Sequence, residues 1–183
     1  MVDDLARADL DRRFAGLARL YGATGAAGIR AAHVVVVGLG GVGSWAAEAL
    51  ARSGVARLTL VDLDHIAESN VNRQIHALGT TLGQAKVLAM RDRIADINPA
   101  CEVRCVEEFV DADNWSVIAS LDVESNEYLG VIDACDQVKA KTAMAAWALE
   151  RNPKHKGRQQ AHFISVGAAG GKRHAHKVDI DDL

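Results

Sequence analysis

The chain has 183 residues, of which 49% are hydrophobic and 4% aromatic, and its formal net charge is −3. These values fit one globular domain with a sizeable core, and no apolar run reaches the ~20 residues of a membrane span, so no membrane contact is expected. Three cysteines without a CxxC pair support neither a disulfide framework nor a four-cysteine zinc site, which favours a reducing, cytoplasmic location.

Strand-like and helix-like patterns alternate along nearly the whole chain. A first helix is predicted over residues 5–20, before a glycine-rich break at 22–28. Five strands are predicted at 34–37, 58–62, 102–106, 129–133 and 163–166, with helices between them at 44–52, 84–97, 112–120 and 137–150. Such alternation is typical of a mainly parallel sheet with helices on both faces. The prediction is therefore a single α/β, Rossmann-like domain over 1–183, with an N-terminal helix at about 1–30 and a core at about 31–171.

A glycine-rich turn joins the first predicted strand to the next helix. Residues 38–43 read GLGGVG, and Gly38, Gly40, Gly41 and Gly43 are the candidate nucleotide-binding glycines. In such a turn, backbone N–H groups approach phosphate oxygens at the positive end of the helix dipole. Asp62 ends the second strand, where a carboxylate can accept both ribose hydroxyls. The two features together indicate an adenosine nucleotide rather than a purely structural turn.

The segment SNVNRQ at 69–74 adds polar and cationic groups that a dinucleotide does not require. Asn70, Arg73 and the later Lys86 are suited to a triphosphate. Two alternatives stay open. Asn70 could have the purely structural role of turning a loop, and Lys86, taken alone, could be an exposed helix residue. The presence of Arg73 favours phosphate contact for Lys86.

Six motifs resemble, in order and spacing, the adenylation domain of the ThiF/MoeB/ubiquitin-activating superfamily. They are GLGGVG at 38–43, DLD at 62–64, SNVNRQ at 69–74, GQAK at 83–86, INP at 97–99 and DACD at 133–136. Within the superfamily, the runs at 18–22, 41–50, 72–78 and 167–171 are most similar to the tRNA threonylcarbamoyladenosine dehydratases. The resemblance implies a ThiF/MoeB-type adenylation domain that uses ATP and Mg²⁺.

The same resemblance implies a reaction and a set of roles. The carboxylate of threonylcarbamoyladenosine in tRNA attacks the α-phosphate of ATP, pyrophosphate leaves, and the acyl-adenylate closes on a nucleophile of the same nucleoside. Arg73 and Lys86 are the expected catalytic cations, and Asp136 is the expected catalytic residue that binds magnesium. Asp133 is expected beside it in the nucleotide site, and Asp64 would shape the neighbouring turn or assist the metal. A homodimer and sulfur-transfer partner proteins are also implied.

Three functions remain open from the sequence. The tRNA dehydratase is favoured by the segment 151–177, which has seven Lys or Arg and no Asp or Glu, although this segment could equally be a solvated loop. The alternative is an adenylating activator of a ubiquitin-like sulfur-carrier protein, a class that commonly carries paired CxxC zinc ligands. The third, an NAD-dependent oxidoreductase, would leave the polar residues of SNVNRQ and Lys86 without a role.

The chain also departs from the dehydratase pattern. Superfamily members often carry an N-terminal arginine that reaches the ATP of the partner subunit, and Arg13 and Arg19 are both candidates for it here. Leu183 stands where a typical dehydratase continues with a segment on the substrate side, so the C-terminal end is expected to be truncated relative to the family.

Overall fold

The computed structural model describes residues 8–120, 129–151 and 161–167. Within these residues, strands alternate with helices, and a short 3-10 turn, Glu68–Asn70, precedes the third helix. The strands are β1 His33–Val37, β2 Arg57–Val61, β3 Glu102–Val106, β4 Leu129–Asp133 and β5 Ala161–Ser165. The helices are α1 Leu10–Ala31, α2 Gly43–Arg52, α3 Lys86–Ile97, α4 Trp115–Ser120 and α5 Val138–Glu150.

All five strands form one parallel sheet in the order β3-β2-β1-β4-β5. In β1, Val34 and Val36 pack with α2 and α3, whereas Val35 and Val37 pack with α4 and α5. Residues buried on both faces explain why β1 is an unbroken apolar run, since successive side chains of a strand point to opposite faces. The predicted α/β, Rossmann-like fold with helices on both faces is confirmed.

The N-terminal helix differs from its prediction. It begins at Leu10, where the Asp9 side chain accepts a hydrogen bond from the Arg12 N–H at 2.9 Å, and the predicted start at residues 5–7 lies outside the described residues. The predicted break at 22–28 is a kink at Gly22 alone, with φ 72° and ψ 170°, after which the helix resumes to Ala31. Alanines among the later glycines supply enough helix propensity for this. Although α1 has 22 residues, neither it nor another helix of the described part is long and apolar enough to cross a membrane.

A buried carboxylate joins the two helices on one face of the sheet. Glu48 of α2 is only 5% exposed, and it pairs with Arg52 of α2 at 2.8 Å and with Arg93 of α3. Burial by itself would raise the pKa of Glu48, but the hydrogen bonds and charges of Arg93 and Arg52 outweigh it and hold this pKa below the ordinary 4.5. Glu48 is therefore ionised at neutral pH and fixes the position of α3 relative to α2.

We expect Glu48→Gln to lower the free energy of unfolding by about 1–3 kcal/mol at neutral pH, because it removes charge-assisted hydrogen bonds. The lowered pKa gives the pH dependence a sign. The stabilisation is fully present above the unfolded-state pKa and is lost as the pH falls through the folded-state pKa. Urea unfolding of both proteins at about pH 7 and about pH 3 should show a difference that shrinks at the lower pH. A difference that is the same at both pH values would contradict this assignment.

Candidate functional site

A cleft of about 630 Å³ opens at the carboxyl ends of the parallel strands. Its walls are the glycine turn after β1, the acidic end of β2, the segment around the 3-10 turn, and the residues that follow β3, β4 and β5. The chain order reverses between β2 and β4 on either side of β1, which is where open α/β sheets bind ligands. Nine of the predicted site residues line this cleft: Gly38, Gly40, Gly41, Asp62, Asp64, Asn70, Arg73, Lys86 and Asp136.

The glycines of the turn at 38–43 serve different purposes. Gly38 has φ 87°, and a Cβ there would lie 2.9 Å from the Ala134 backbone. Gly43 begins α2 behind the cleft surface, and a Cβ there would lie 1.7 Å from the carbonyl oxygen of Gly38. Gly40 lines the cleft, and nothing lies within 4 Å of its ideal Cβ position. Gly38 and Gly43 therefore close the turn, while Gly40 leaves backbone exposed to a ligand.

We expect Gly43→Ala to lower the free energy of unfolding by about 1–3 kcal/mol or more, because the methyl group collides with backbone that cannot move aside without opening the turn. The matched control is Gly28→Ala in α1, where nothing lies within 4 Å of the ideal Cβ position. That variant should gain about 0.5–1 kcal/mol from helix propensity. Denaturant titration of both variants checks the pair, and equal stabilities would contradict the tight packing of Gly43.

Lys86 is the first residue of α3 and is only 5% exposed. Its ammonium donates to Asp64 Oδ2 at 2.7 Å and lies 3.7 Å from Asp62 Oδ1. Asp62 also accepts from the backbone N–H of Leu39 at 2.6 Å and from that of Asp64 at 2.8 Å. One lysine and one carboxylate thus connect the glycine turn, the end of β2 and the start of α3. The alternative of Lys86 as an exposed helix residue does not match this position.

Arg73 brings a positive charge into the cleft without a carboxylate partner among the described residues. Its guanidinium donates to the Ser69 carbonyl and to Asn72 Oδ1, the latter at 3.0 Å, and its aliphatic part lies against Gly41. Both acceptors are neutral, so the charge is available to an anion. Asn70 Oδ1 accepts from the Ala67 N–H at 3.0 Å, so Asn70 turns the loop as well as lining the cleft.

The aspartate that ends β4, Asp133, and the aspartate that follows this strand, Asp136, have different surroundings. Asp136 is exposed, lines the cleft, and has no ion-pair or hydrogen-bond partner in the part of the chain that is described. Asp133 is fully buried at 0% exposure and does not line the cleft. The expected place of Asp133 in the nucleotide site therefore differs from its observed place beneath the cleft. The physical reason is its pairing with Lys141, because a paired carboxylate can be buried.

Sequence reasoning did not identify several residues that shape the site. Lys141 and Ser165 hold Asp133, at 2.9 Å and 2.6 Å, from elements distant in sequence. Trp45 donates from Nε1 to the carbonyl oxygen of Arg73 at 2.9 Å and so holds the arginine segment against α2. Phe109 lines the cleft and is 54% exposed. Only Phe109 had a sequence signal, since it follows the predicted end of β3.

The donors of the described residues fit a magnesium ion that is bound together with a nucleotide, not a metal ion held by protein ligands alone. Among the described residues, no group of three or more His, Cys, Asp or Glu is placed to hold a metal. Magnesium with a nucleotide needs only one or two carboxylates, because phosphate oxygens and waters complete its shell. The exposed, unpartnered Asp136 fits that requirement. Cys135 beside it carries a neutral thiol, since burial and the neighbouring Asp133 raise the pKa of Cys135 to about 11.

The two N-terminal arginine candidates differ in availability. Arg13 donates from Nη1 to the carbonyl oxygens of Asp96, at 3.2 Å, and Ile97, at 2.7 Å. It therefore caps the carboxyl end of α3 within its own subunit. Arg19 is exposed on α1. Of the two side chains, that of Arg19 is the one without a hydrogen bond or ion pair to the described residues.

Comparisons with known proteins show the family to which this chain belongs. The sequence model of the ThiF family matches residues 10–179. The tRNA threonylcarbamoyladenosine dehydratase of Haemophilus influenzae is 40% identical over 180 residues, 98% of this chain and 64% of that one. The Escherichia coli dehydratase is 42% identical over 172 residues, 94% of this chain and 59% of that one. The chain thus spans about three fifths of the length of these curated relatives.

A solved structure has a similar fold. The crystal structure of the E. coli dehydratase, TcdA, in complex with ATP aligns with a TM-score of 0.78 and 44% identity, covering 90% of this chain and 63% of that chain. The resemblance to the tRNA threonylcarbamoyladenosine dehydratases that the sequence motifs indicated is confirmed. With its parallel sheet, its glycine turn and a family match that extends over nearly all of its residues, the chain belongs to the ThiF family.

Proposed function

We propose that this chain uses ATP to activate the carboxylate of threonylcarbamoyladenosine in tRNA and so drives its cyclising dehydration. The observation that carries the proposal is the cleft itself, in which the free charge of Arg73 and the buried ammonium of Lys86 face a glycine turn. The similarity of this chain to tRNA threonylcarbamoyladenosine dehydratases, one of which was solved in complex with ATP, supports the choice of nucleotide and substrate.

The first step is an in-line displacement at phosphorus. A carboxylate oxygen of the substrate bonds to the α-phosphorus, the bond from that phosphorus to the bridging oxygen breaks, and pyrophosphate leaves with its electron pair. Such a reaction needs positioning and charge neutralisation more than covalent help. Arg73 holds the β- and γ-phosphates in its planar fork, while Lys86 places a compact charge near the α-phosphate. Asn70 lines the same part of the cleft and can donate from its amide.

The second step is intramolecular. A nucleophile of the same modified nucleoside attacks the carbonyl carbon of the acyl-adenylate, AMP leaves, and the nucleoside has lost one water overall. The glycine turn supplies backbone N–H groups to the phosphates through Gly40 and Gly41. Gly38, whose N–H donates to the Val61 carbonyl oxygen at 2.8 Å, and Gly43 keep the turn closed. Asp62 accepts the ribose hydroxyls in addition to its backbone donors.

Asp136 would hold a magnesium ion, which would neutralise phosphate charge. Asp64 directs Lys86 through their 2.7 Å contact. Together with Asp62 it places two carboxylates in the half of the cleft that follows β2. Asp133 has an indirect role, since its buried carboxylate fixes the turn that carries Asp136. These assignments give each carboxylate of the DLD and DACD motifs a separate task.

We further propose a homodimer, in which Arg19 of α1 is the arginine available to a partner subunit, and a cytoplasmic location. Sulfur-transfer proteins are proposed as further partners from the family resemblance. Most of the basic segment 151–177, which we propose to contact tRNA phosphates, lies outside the described residues. The alternative, activation of a ubiquitin-like sulfur-carrier protein, would use the same cations on a protein C-terminus.

The products of ATP distinguish these functions. The chain is incubated with ATP labelled at the α-phosphate and magnesium, together with tRNA that carries threonylcarbamoyladenosine, tRNA that lacks it, or a sulfur-carrier protein. We expect AMP and pyrophosphate only with the modified tRNA. AMP or acyl-adenylate formed only with the carrier protein would favour the alternative, and ADP with phosphate as products would contradict adenylation altogether.

A further inference from the structure

A lysine on α5 connects the ends of two strands beside the cleft. Lys141 Nζ donates to Asp133 Oδ2 at 2.9 Å and to the Val166 carbonyl oxygen at 3.0 Å. The Ser165 hydroxyl donates to the same carboxylate oxygen at 2.6 Å. One ammonium group therefore joins the end of β4, the first turns of α5 and the residue after β5.

These contacts matter because the adjacent backbone forms a wall of the cleft. The turn 134–137, which includes Asp136, follows Asp133 directly and lines the cleft, as do Val166 and Gly167. Backbone hydrogen bonds extend the connection, since the Val166 N–H donates to the Asp133 carbonyl oxygen at 2.8 Å. The position of this whole wall thus depends on a buried carboxylate whose cationic partner is Lys141.

The cleft has two halves, which follow from the strand order of the sheet. One half is formed by residues after β1 and β2, and the other, the β4/β5 half, by residues after β4 and β5. The groups proposed to hold ATP follow β1 and β2; they are the glycine turn, Asp62, Arg73 and Lys86. Asp136 and the segment 166–167 follow β4 and β5. Among the described residues, Lys141 forms its polar contacts only with the second half.

We propose that Lys141 is a positioning residue that sets the β4/β5 half of the cleft for turnover, without holding the nucleotide. The inference rests on the proposed function. A carboxylate that attacks the α-phosphate has to approach from the side that the nucleotide leaves open, and the β4/β5 half provides that side. Without the ammonium, Asp133 is a buried carboxylate that lacks its counter-charge, and the Val166 carbonyl loses its donor. The wall then shifts, and the incoming substrate is misaligned.

The test compares four variants of the full chain. Lys141→Met removes the ammonium, and Lys141→Arg keeps a positive charge. Lys139→Met is the matched control, because Lys139 lies on the same helix and is exposed. The double variant Asp133→Asn with Lys141→Met removes the uncompensated buried charge, so it retains the fold even if Lys141→Met alone does not. Circular dichroism and thermal unfolding verify the fold of each variant.

We expect Lys141→Met and the double variant to lower kcat for AMP formation by about tenfold or more. The Kd for ATP measured without magnesium, which takes Asp136 out of nucleotide binding, should stay within about twofold of the wild-type value. Lys141→Arg should recover part of kcat, and Lys139→Met should match the wild type. An unchanged kcat in a folded double variant would overturn the inference. So would a loss of magnesium-free ATP affinity as large as the loss of kcat, because Lys141 would then act on the nucleotide itself.

Hydrogen exchange supplies a readout that does not need turnover. ATP with magnesium should slow backbone exchange in both halves of the cleft in the wild type and in Lys139→Met, but only in the half that follows β1 and β2 in the Lys141 variants. Equal protection of both halves in all variants would overturn the inference. If the wild type bound no ATP, the proposed function would fail by itself. The role of Lys141 would then be tested by exchange of the Val166 amide in the free protein. We expect faster exchange in Lys141→Met than in the wild type, and unchanged exchange would contradict the proposal that Lys141 holds this wall of the cleft.

Discussion

Lys86→Met should lower the rate of AMP formation by about 10²–10³, the largest effect that we expect of any single substitution in the cleft. Lys86, at the start of α3, is 5% exposed, and its ammonium lies between two carboxylates, so its charge is only weakly screened by water. Removing it takes away the compact charge proposed to stabilise the α-phosphate as the bond to pyrophosphate breaks. Single-turnover measurement of AMP with the modified tRNA gives the rate.

The control for this variant is Arg91→Met, which lies on the same helix but has an exposed guanidinium paired with its neighbour Asp92. It should keep the wild-type rate, because an exposed pair of this kind contributes little. A folded Lys86→Met protein that forms AMP at the wild-type rate would contradict the role of Lys86. Circular dichroism separates that result from unfolding, since Asp64 is left without its cation in this variant.

Arg73→Met should weaken ATP binding by about 10–100-fold and leave AMP binding within a few-fold of the wild type. The loss corresponds to charge-assisted hydrogen bonds of about 1.5–3 kcal/mol. The difference between the nucleotides follows from the proposed contact, because the guanidinium fork holds the β- and γ-phosphates, which AMP lacks. Titration calorimetry with ATP and with AMP measures both affinities.

Arg12→Met is the matched control for Arg73→Met, since Arg12 is exposed on the distant helix α1. Its affinity for ATP should equal that of the wild type. Equal losses of ATP and AMP affinity in Arg73→Met would place the guanidinium elsewhere, near the α-phosphate or the ribose. NAD binding by the wild type, unaffected by Arg73→Met, would favour the oxidoreductase hypothesis.

Local patterns in the sequence were sufficient to predict most of the fold. The strands β3 and β4 begin and end where predicted, β1 begins one residue earlier, and β2 is shifted by one residue towards the N-terminus. β5 begins two residues and ends one residue earlier than predicted. The central strands β1 and β4 were the easiest to recognise, because strands buried on both faces are short apolar runs. The N-terminal helix was predicted less well. The glycines at 22–28 favour a break in the helix, but within α1 only Gly22 has a positive φ, and the alanines around the later glycines continue the helix.

The cleft could be predicted from the sequence as far as its motifs extend. The glycine turn, Arg73 and Lys86 meet because parallel strands bring their carboxyl ends to one edge of the sheet. The burial of Asp133 could not be predicted, because it depends on Lys141 and Ser165, which pack against it from α5 and the end of β5. A contact between residues far apart in the chain has no local pattern.

The proposed function is the removal of water from a modified nucleoside at the expense of ATP, and mass spectrometry of the nucleosides measures this loss. tRNA that carries threonylcarbamoyladenosine is incubated with the chain, ATP and magnesium, then digested to nucleosides, with Arg73→Met in parallel. We expect a nucleoside lighter by one water, formed only with ATP and not formed by the variant. An unchanged nucleoside mass, with ATP binding intact, would contradict the claim that this chain is a dehydratase.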